Sequence, residues 1–349
     1  MKKINLKDLG LDEKYIEEGK KFNEDFHLGR VSVQNKNIYH VLTEEGEILA
    51  EVSGKFRHEV LGLNDYPAVG DWVLVDRTSN LNGNGIIHHL IPRRSSFERK
   101  VAGTRYDNQV VAANIDTIFI CMSLNNNFNI RRLERYISVA FESNSKPVIV
   151  LTKSDLCFDL EEKINQVKEV AEKIDIIVTS SLMNEGYEEI KRYVFTGQTI
   201  AFIGSSGVGK STMINKLLGS EELKTTEVGS EDKGRHTTTS RQLFLVEGGG
   251  VLIDTPGIRE LGLMNADLNK TFEDVEELER QCKFSDCSHN NVKGCAFKKA
   301  IDEGLITEDR LNNYLKLKKE LKYAEKKIKS REKKSNLKNE KYRQKKINY

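Results

Sequence analysis

The chain has 349 residues, 31% of them charged, and a formal net charge of +2. That length accommodates two or three domains. No apolar run approaches the ~20 residues needed to span a bilayer, so a membrane-embedded protein is excluded as an expectation. No apolar segment follows the basic start Met1–Lys7, so no secretory signal is expected either.

The charge is unevenly distributed. From Lys316 to Tyr349 there are 15 Lys/Arg against 4 Glu, a net of +11, which leaves −9 for the rest of the chain. A basic tail on an acidic body points to a polyanionic partner, although a solvated helical tail would read the same way. The five cysteines are an odd count, and three of them cluster with a histidine. In a chain expected to stay in the cytoplasm, that pattern favours a metal over disulfides.

In chain order, residues 1–27 read as a short helical leader. Over 28–92 the texture is β: Arg30–Gln34, Ile38–Thr43, Ile48–Val52, Val69–Val75 and Gly85–Ile91 predict five short strands separated by Gly, Asn and Asp. Five such strands suggest a small OB-type barrel. Trp72, the only tryptophan, is expected in the barrel core or rim. Lys55, Phe56, Arg57 and His58 read as a loop with the basic and aromatic character of a nucleic-acid contact. Residues 93–115 read as a linker.

From 116 to 265 strands and helices alternate, as in a mainly parallel α/β domain. Thr117–Met122, Pro147–Leu151, Ile174–Thr179 and Thr199–Ile203 are expected strands. Leu133, Tyr136, Ile137, Ala140 and Phe141 have helical spacing. Asp159 to Glu162 has the form of a capping box. Leu243–Val246 and Val251–Ile253 are expected to pair across three glycines. Residues 266–315 read as mostly helical around the cysteine cluster, with a helix capped by Thr307, and 316–349 as a basic helix or tail.

Gly204-Ser205-Ser206-Gly207-Val208-Gly209-Lys210-Ser211 fits G-x-x-x-x-G-K-[ST] between an apolar strand and a helix containing Thr212 and Met213. Backbone N–H groups of such a loop wrap a β-phosphate at a helix N-terminus. Lys210 is expected to reach the β- and γ-phosphates and Ser211 to bind Mg²⁺. Asp254-Thr255-Pro256-Gly257 closes the next apolar strand. Its aspartate can hold Mg²⁺ through water, and the Gly257 N–H can sense a γ-phosphate. Between Ser220 and Ser240 a polar stretch ending Gly234-Arg235-His236-Thr237-Thr238-Thr239 reads as a first switch. Thr238 is the chosen Mg²⁺ ligand, with Thr239 the alternative.

Thr152-Lys153-Ser154-Asp155 reads as the base-recognition motif. A carboxylate at Asp155 can accept both N1–H and N2–H₂ of guanine, a donor pair adenine lacks. The Lys153 stem would lie along the base. Ser180-Ser181, after the following strand, can offer a backbone N–H to O6. The commoner motif has Asn at the position of Thr152. This motif precedes the phosphate loop, the reverse of the usual GTPase order, so the domain is read as circularly permuted. The residue after Gly257 is Ile258, which cannot orient water as a glutamine would. Slow unassisted turnover of about 10⁻⁴ to 10⁻² s⁻¹ is therefore expected. His236 is the candidate to position the water, and a loop histidine without chemical role is the alternative.

These features together resemble the circularly permuted ribosome small-subunit-dependent GTPase A family of bacteria. The carriers are Val69-Gly70-Asp71-Trp72-Val73, Gln109-Val110-Val111-Ala112-Ala113-Asn114, the permuted motif order, Gly234–Thr239 and the cysteine/histidine cluster. The resemblance implies an α/β GTPase core with an N-terminal OB domain and a C-terminal zinc domain. It also implies action late in small-subunit maturation, with GTP hydrolysis stimulated by the subunit. Cys282, Cys287, His289 and Cys295, spaced C-x4-C-x-H-x5-C, suit one tetrahedral structural Zn²⁺. Expected partners are GTP/GDP and the small subunit with its rRNA, for a monomeric cytoplasmic protein. The competing readings are a GTP-gated RNA-binding adaptor and a P-loop kinase or ATPase.

Overall fold

The computed structural model describes residues 3–22, 25–60, 62–81, 83–100, 108–220, 223, 241–254, 267–283, 287, 289 and 294–326. A leader helix α1 (Glu13–Lys20) is capped by the Asp12 carboxylate, which accepts from the N–H groups of Lys14 and Tyr15. Five strands follow: β1 (His27–Asn35), β2 (Ile38–Thr43), β3 (Gly46–Val52), and, after helix α2 (Gly54–Glu59), β4 (Trp72–Val75) and β5 (Gly85–Leu90). They pair in the order β1-β2-β3-β5-β4, and β4 returns to β1, which closes the barrel. The alternating burial along β2 and β3 puts Val41, Ile48, Ala50 and Val52 inside with Val31, Val73, Val75 and Ile87. Trp72 is fully buried.

Two expectations fail here. The 55–58 segment is helical, not a loop, because Ser53 caps it by accepting from the Phe56 N–H at 3.0 Å. Its helical spacing turns Phe56 into the barrel core, so Phe56 is no exposed base platform. The 93–115 segment is also not a bare linker. It contains a hairpin of β6 (Ser96–Lys100) and β7 (Asn108–Ala113).

The α/β core consists of β8 (Thr117–Ser123), α3 (Ile130–Glu142), β9 (Lys146–Thr152), α4 (Leu160–Val170), β10 (Asp175–Val178), α5 (Tyr187–Lys191), β11 (Thr199–Ile203), α6 (Lys210–Leu218), β12 (Gln242–Leu245) and β13 (Val251–Asp254). The sheet order is β10-β9-β8-β11-β13-β12, parallel except for β12. β8 and β11 are buried along their whole length, as strands covered on both faces require. Phe119, Phe202, Val150, Met213, Ile214 and Tyr187 share one core beneath α5 and α6. The expected capping box at Asp159 does not form. Its side chain makes no cap bond and instead pairs with Lys163 at 2.9 Å.

Barrel and core share a sheet, since β12 pairs with β1 at Val33↔Gln242. Arg30 fastens the junction. Its guanidinium is fully buried and donates to the carbonyls of Leu9 in the leader, Gly70 in the barrel and Asn114 before β8. Burial pulls it down to about 10, so it stays charged at neutral pH. Asp71, also fully buried, takes a two-pronged ion pair from Arg93 at 2.7 and 2.8 Å. Gly70 has φ +91, and a Cβ there would lie 2.2 Å from the Ala113 carbonyl, so no side chain fits where barrel meets hairpin.

The chain divides into two compact units, 1–261 and 262–349. The second contains α7 (Leu268–Thr271), α8 (Glu273–Arg280), α9 (Ala296–Asp302) and a helix α10 over 308–326. Thr307 caps α10 as expected, its Oγ1 accepting from the Arg310 N–H. Phe272, Val275, Phe297, Ala300, Leu311 and Tyr314 are its buried interior. Among the described residues no helix is long and apolar enough to cross a membrane.

Arg30→Met keeps the aliphatic stem but strands three buried carbonyls. It should lower unfolding stability by about 3 kcal/mol or more. A urea midpoint that moves by less than the equivalent of about 1 kcal/mol would show that the guanidinium does not hold the junction together.

Candidate nucleotide site and metal centre

The phosphate loop lies between the end of β11 and α6. Gly204 has φ +148, and a Cβ there would come within 2.5 Å of the Cys121 carbonyl on β8. The loop therefore starts hard against the neighbouring strand. Gly207 and Gly209 also have positive φ, with open space around them, and Gly209 leads into the first turn of α6. Ser206 and Gly207 are exposed at the tip, while Lys210, Ser211 and Thr212 are half-buried on the first turn. The Lys210 ammonium donates to the carbonyls of Gly204 and Ser205, both at 2.8 Å, so it lies across the concave side of the loop.

The base motif leaves the end of β9 two strands away. Thr152 is buried, and its hydroxyl donates to the Val208 carbonyl at 2.6 Å. The substitution of Thr for the commoner Asn thus supplies a short bond to the phosphate loop. Lys153 adopts the left-handed conformation (φ 61), and Ser154–Leu156 form a 3₁₀ turn. That turn is tied to the next strand by Ser154 N–H to Thr179 O at 3.1 Å. The Ser180 hydroxyl donates to Asp155 Oδ1 at 2.5 Å and accepts from the Met183 N–H. It fixes the carboxylate from one side and leaves Oδ2 for another donor. The Ser181 hydroxyl meets the Tyr187 hydroxyl at 2.8 Å. Lys216, on α6, places its ammonium 4.1 Å from the Tyr187 ring centroid and reaches the Ser181 carbonyl at 3.4 Å. The two motifs, about fifty residues apart, therefore meet at the C-terminal edge of one sheet, where open α/β sheets bind ligands.

Asp254 ends β13, buried and opposite Gln242. His236, Thr238, Thr239 and Gly257 lie outside the described residues.

Residues that sequence patterning missed also contact the 204–211 loop. After β8 the chain runs Asn125-Asn126-Asn127-Phe128-Asn129. Asn127 Nδ2 donates to Ser205 Oγ at 3.0 Å, and Arg132 holds Asn127 from behind. Polar residues directly after a buried parallel strand were the available signal, because the strand ends are where such sheets place their sites. Cys121, by contrast, is a core residue, and burial pushes its thiol up to about 12.

A family profile for RsgA GTPases matches residues 90–264. The chain belongs to the RsgA GTPase family. It is 48% identical over 297 residues to the small ribosomal subunit biogenesis GTPase RsgA 2 of Lactiplantibacillus plantarum, covering 85% of this chain and 84% of that one. It is 44% identical over 304 residues to RsgA 1 of Oceanobacillus iheyensis, covering 86% of each. Among solved structures it matches YjeQ from Thermotoga maritima at 28% identity and a TM-score of 0.63, over 85% of this chain and 98% of that one. The fold also matches YloQ, a circularly permuted GTPase, with a TM-score of 0.57 at 22% identity over 85% and 95% of the two chains. The family resemblance and the permuted α/β fold with its barrel read from sequence are thereby borne out.

In the second unit Cys282, Cys287, His289 and Cys295 converge, their ligand atoms all within 4.8 Å of one another. His289 Nδ1 lies 3.8 Å from both Cys282 Sγ and Cys295 Sγ. The cluster can hold one metal ion. His289 Nε2 faces the Glu279 carboxylate at 3.5 Å, the arrangement that fixes a ligating imidazole. Glu279 is in turn bonded by the Tyr314 hydroxyl at 2.7 Å and the Lys318 ammonium, so α10 braces the centre. Burial would raise the Glu279 carboxyl, but Lys318 and Tyr314 outweigh it and hold the group below its ordinary value.

Thr152→Val removes the hydroxyl at nearly constant volume and strands the Val208 carbonyl. Guanine-nucleotide affinity, measured by calorimetry, should fall about tenfold, and Thr152→Asn should restore most of it. Wild-type affinity in Thr152→Val would show that the two motifs are not coupled through this bond.

Proposed function

We propose that the chain hydrolyses GTP as a biogenesis factor of the small ribosomal subunit. The observation that carries this reading is the Thr152–Val208 bond. It ties the segment that carries Asp155 to the 204–211 loop in a chain of the RsgA family. On this reading guanine N1–H and N2–H₂ bond to Asp155, and Lys153 covers the base. The N–H groups of 204–212 cradle the phosphates, and Lys210 moves from its own loop carbonyls to the β- and γ-phosphates. Bound Mg²⁺ supplies neutralisation of phosphate charge. Ser211 would hold the ion, with Thr238 from the first switch and Asp254 through water. Gly257 senses the γ-phosphate. His236 is proposed to position the attacking water once a partner orders the switch. Because Ile258 stands where many switch GTPases carry glutamine, unassisted turnover is slow, and stimulation by the subunit supplies what the chain lacks.

The metal is proposed to be Zn²⁺. With Zn–S near 2.3 Å and Zn–N near 2.0 Å, a tetrahedron has N···S edges of about 3.5 Å, and the 3.8 Å separations at His289 Nδ1 are a few tenths of an ångström wider. Three thiolates and one imidazole leave no open position, so the role is structural.

Ribosomal RNA is the proposed binding partner. In the second unit Lys316, Lys319, Lys322, Lys326 and the exposed Tyr323 line a groove of about 800 Å³ beside the metal centre. On α2 Lys55 and Arg57 add two cations on the barrel, near Glu59 at 3.8 Å and Glu51 at 3.7 Å, and His58 lies beside them. Such contacts release counterions, so binding weakens with salt. The protein is proposed to act as a cytoplasmic monomer.

GTP turnover with and without small ribosomal subunits tests the reading. Stimulated multiple turnover is expected, whereas tight binding without stimulation would favour a GTP-gated adaptor. Asp155→Asn should weaken GTP by about a hundredfold and favour xanthosine triphosphate, whose C2 carbonyl accepts where guanine donates. Equal affinity of the wild type for ATP and GTP would end the guanine assignment.

Purified protein should contain about one equivalent of zinc per chain by emission spectrometry. Cys287→Ser should lose most of it and expose the 267–326 segment to limited proteolysis. Full zinc content in that variant would remove Cys287 from the ligand set.

A further inference from the structure

The asparagine loop after β8 has a geometry that the phosphate and guanine motifs do not account for. Asn125 Oδ1 accepts from the Ser123 hydroxyl at 2.9 Å and from the Asn127 N–H at 3.1 Å, which closes a tight turn. Asn129 caps α3 by accepting from the Arg132 N–H at 2.9 Å. That cap starts the helix that carries the Arg132 side chain. Arg132 then returns to Asn127 with three bonds, two to Oδ1 at 3.0 Å and one to its backbone carbonyl at 2.9 Å.

A guanidinium can only donate. The oxygen of the Asn127 amide must therefore face Arg132, and its nitrogen is left pointing the other way. That nitrogen meets Ser205 Oγ at 3.0 Å. The orientation of this amide, ambiguous in most settings, is decided here by its partner.

Ser205 is the second residue of the phosphate loop. Its carbonyl accepts from Lys210 on the inner side, and its hydroxyl accepts from Asn127 on the outer side. If the phosphates draw the Lys210 ammonium away, the inner bond to Ser205 is lost and the outer one remains. We infer that Asn127, oriented by Arg132, is a positioning residue that holds the phosphate loop in its nucleotide-receiving shape from outside the site. It touches the loop and not the phosphates. A preset loop binds more tightly because less ordering is left to the binding step.

The inference rests on the assignment of 204–211 as the phosphate site. It is tested on the full-length chain with fluorescent N-methylanthraniloyl GDP, reading both dissociation constant and release rate. Asn127→Ala should weaken binding about five- to tenfold, mainly through faster release, as expected for one lost hydrogen bond. Ser205→Ala should lose a similar factor, and the double variant no more than the larger single loss, because both remove the same contact. Arg132→Lys, which cannot span both acceptors, should also weaken binding, with an unchanged thermal midpoint in all variants. Wild-type release in Asn127→Ala, or losses that multiply in the double variant, would overturn the inference. If the wild type itself failed to bind guanine nucleotide, the phosphate-site assignment would fall instead.

Discussion

A hydrogen bond of 2.6 Å between the Thr152 hydroxyl and the Val208 carbonyl joins the two halves of the proposed nucleotide site. The bond is buried at both ends, where an unpaired carbonyl would be costly. It forms only because β9 and β11 run parallel on either side of β8 and end at the same edge. Permutation leaves this relation intact. Cutting and rejoining the chain changes which motif is made first, while strand adjacency, and so the meeting of base motif and phosphate loop, is set by sheet pairing.

The same dependence on a few buried polar contacts recurs at the barrel. Hydrophobic burial would allow several orientations between a five-stranded barrel and an α/β sheet. The Arg30 guanidinium, with carbonyl acceptors in the leader, the barrel and the segment before β8, selects one. The Asp71–Arg93 pair fixes the neighbouring turn and draws the chain toward β6. These groups add directional constraint where apolar contacts add mainly attraction.

Much of this was legible in the sequence, for identifiable reasons. Strands such as β8 and β11 are continuous apolar runs, and the phosphate loop has glycines at positions where the backbone must turn left-handed. The cysteine and histidine spacing led to four residues that do converge. The misreadings share one cause, which is that local composition was taken for local structure. Lys55–His58 is polar and looks like a loop, but Ser53 caps it and Phe56 turns inward. Asp159 has capping-box neighbours, but Lys163 one turn later takes its carboxylate. Asn127 could not be found by motif, because its role depends on a residue 78 positions away and on a guanidinium that decides which way its amide faces.

The sheet also ties the barrel to the strand that ends in Asp254. Gln242, the first residue of β12, is paired on one side with Val33 of the barrel and on the other with Asp254 of β13. Gly234–Thr239 precedes Gln242 closely in sequence, and Asp254 opens the Asp-Thr-Pro-Gly motif. One rung of one sheet therefore joins the barrel to Asp254 at the end of β13. In this chain, then, the barrel and the α/β core are parts of one continuous sheet, and the strand that ends in Asp254 is positioned by both.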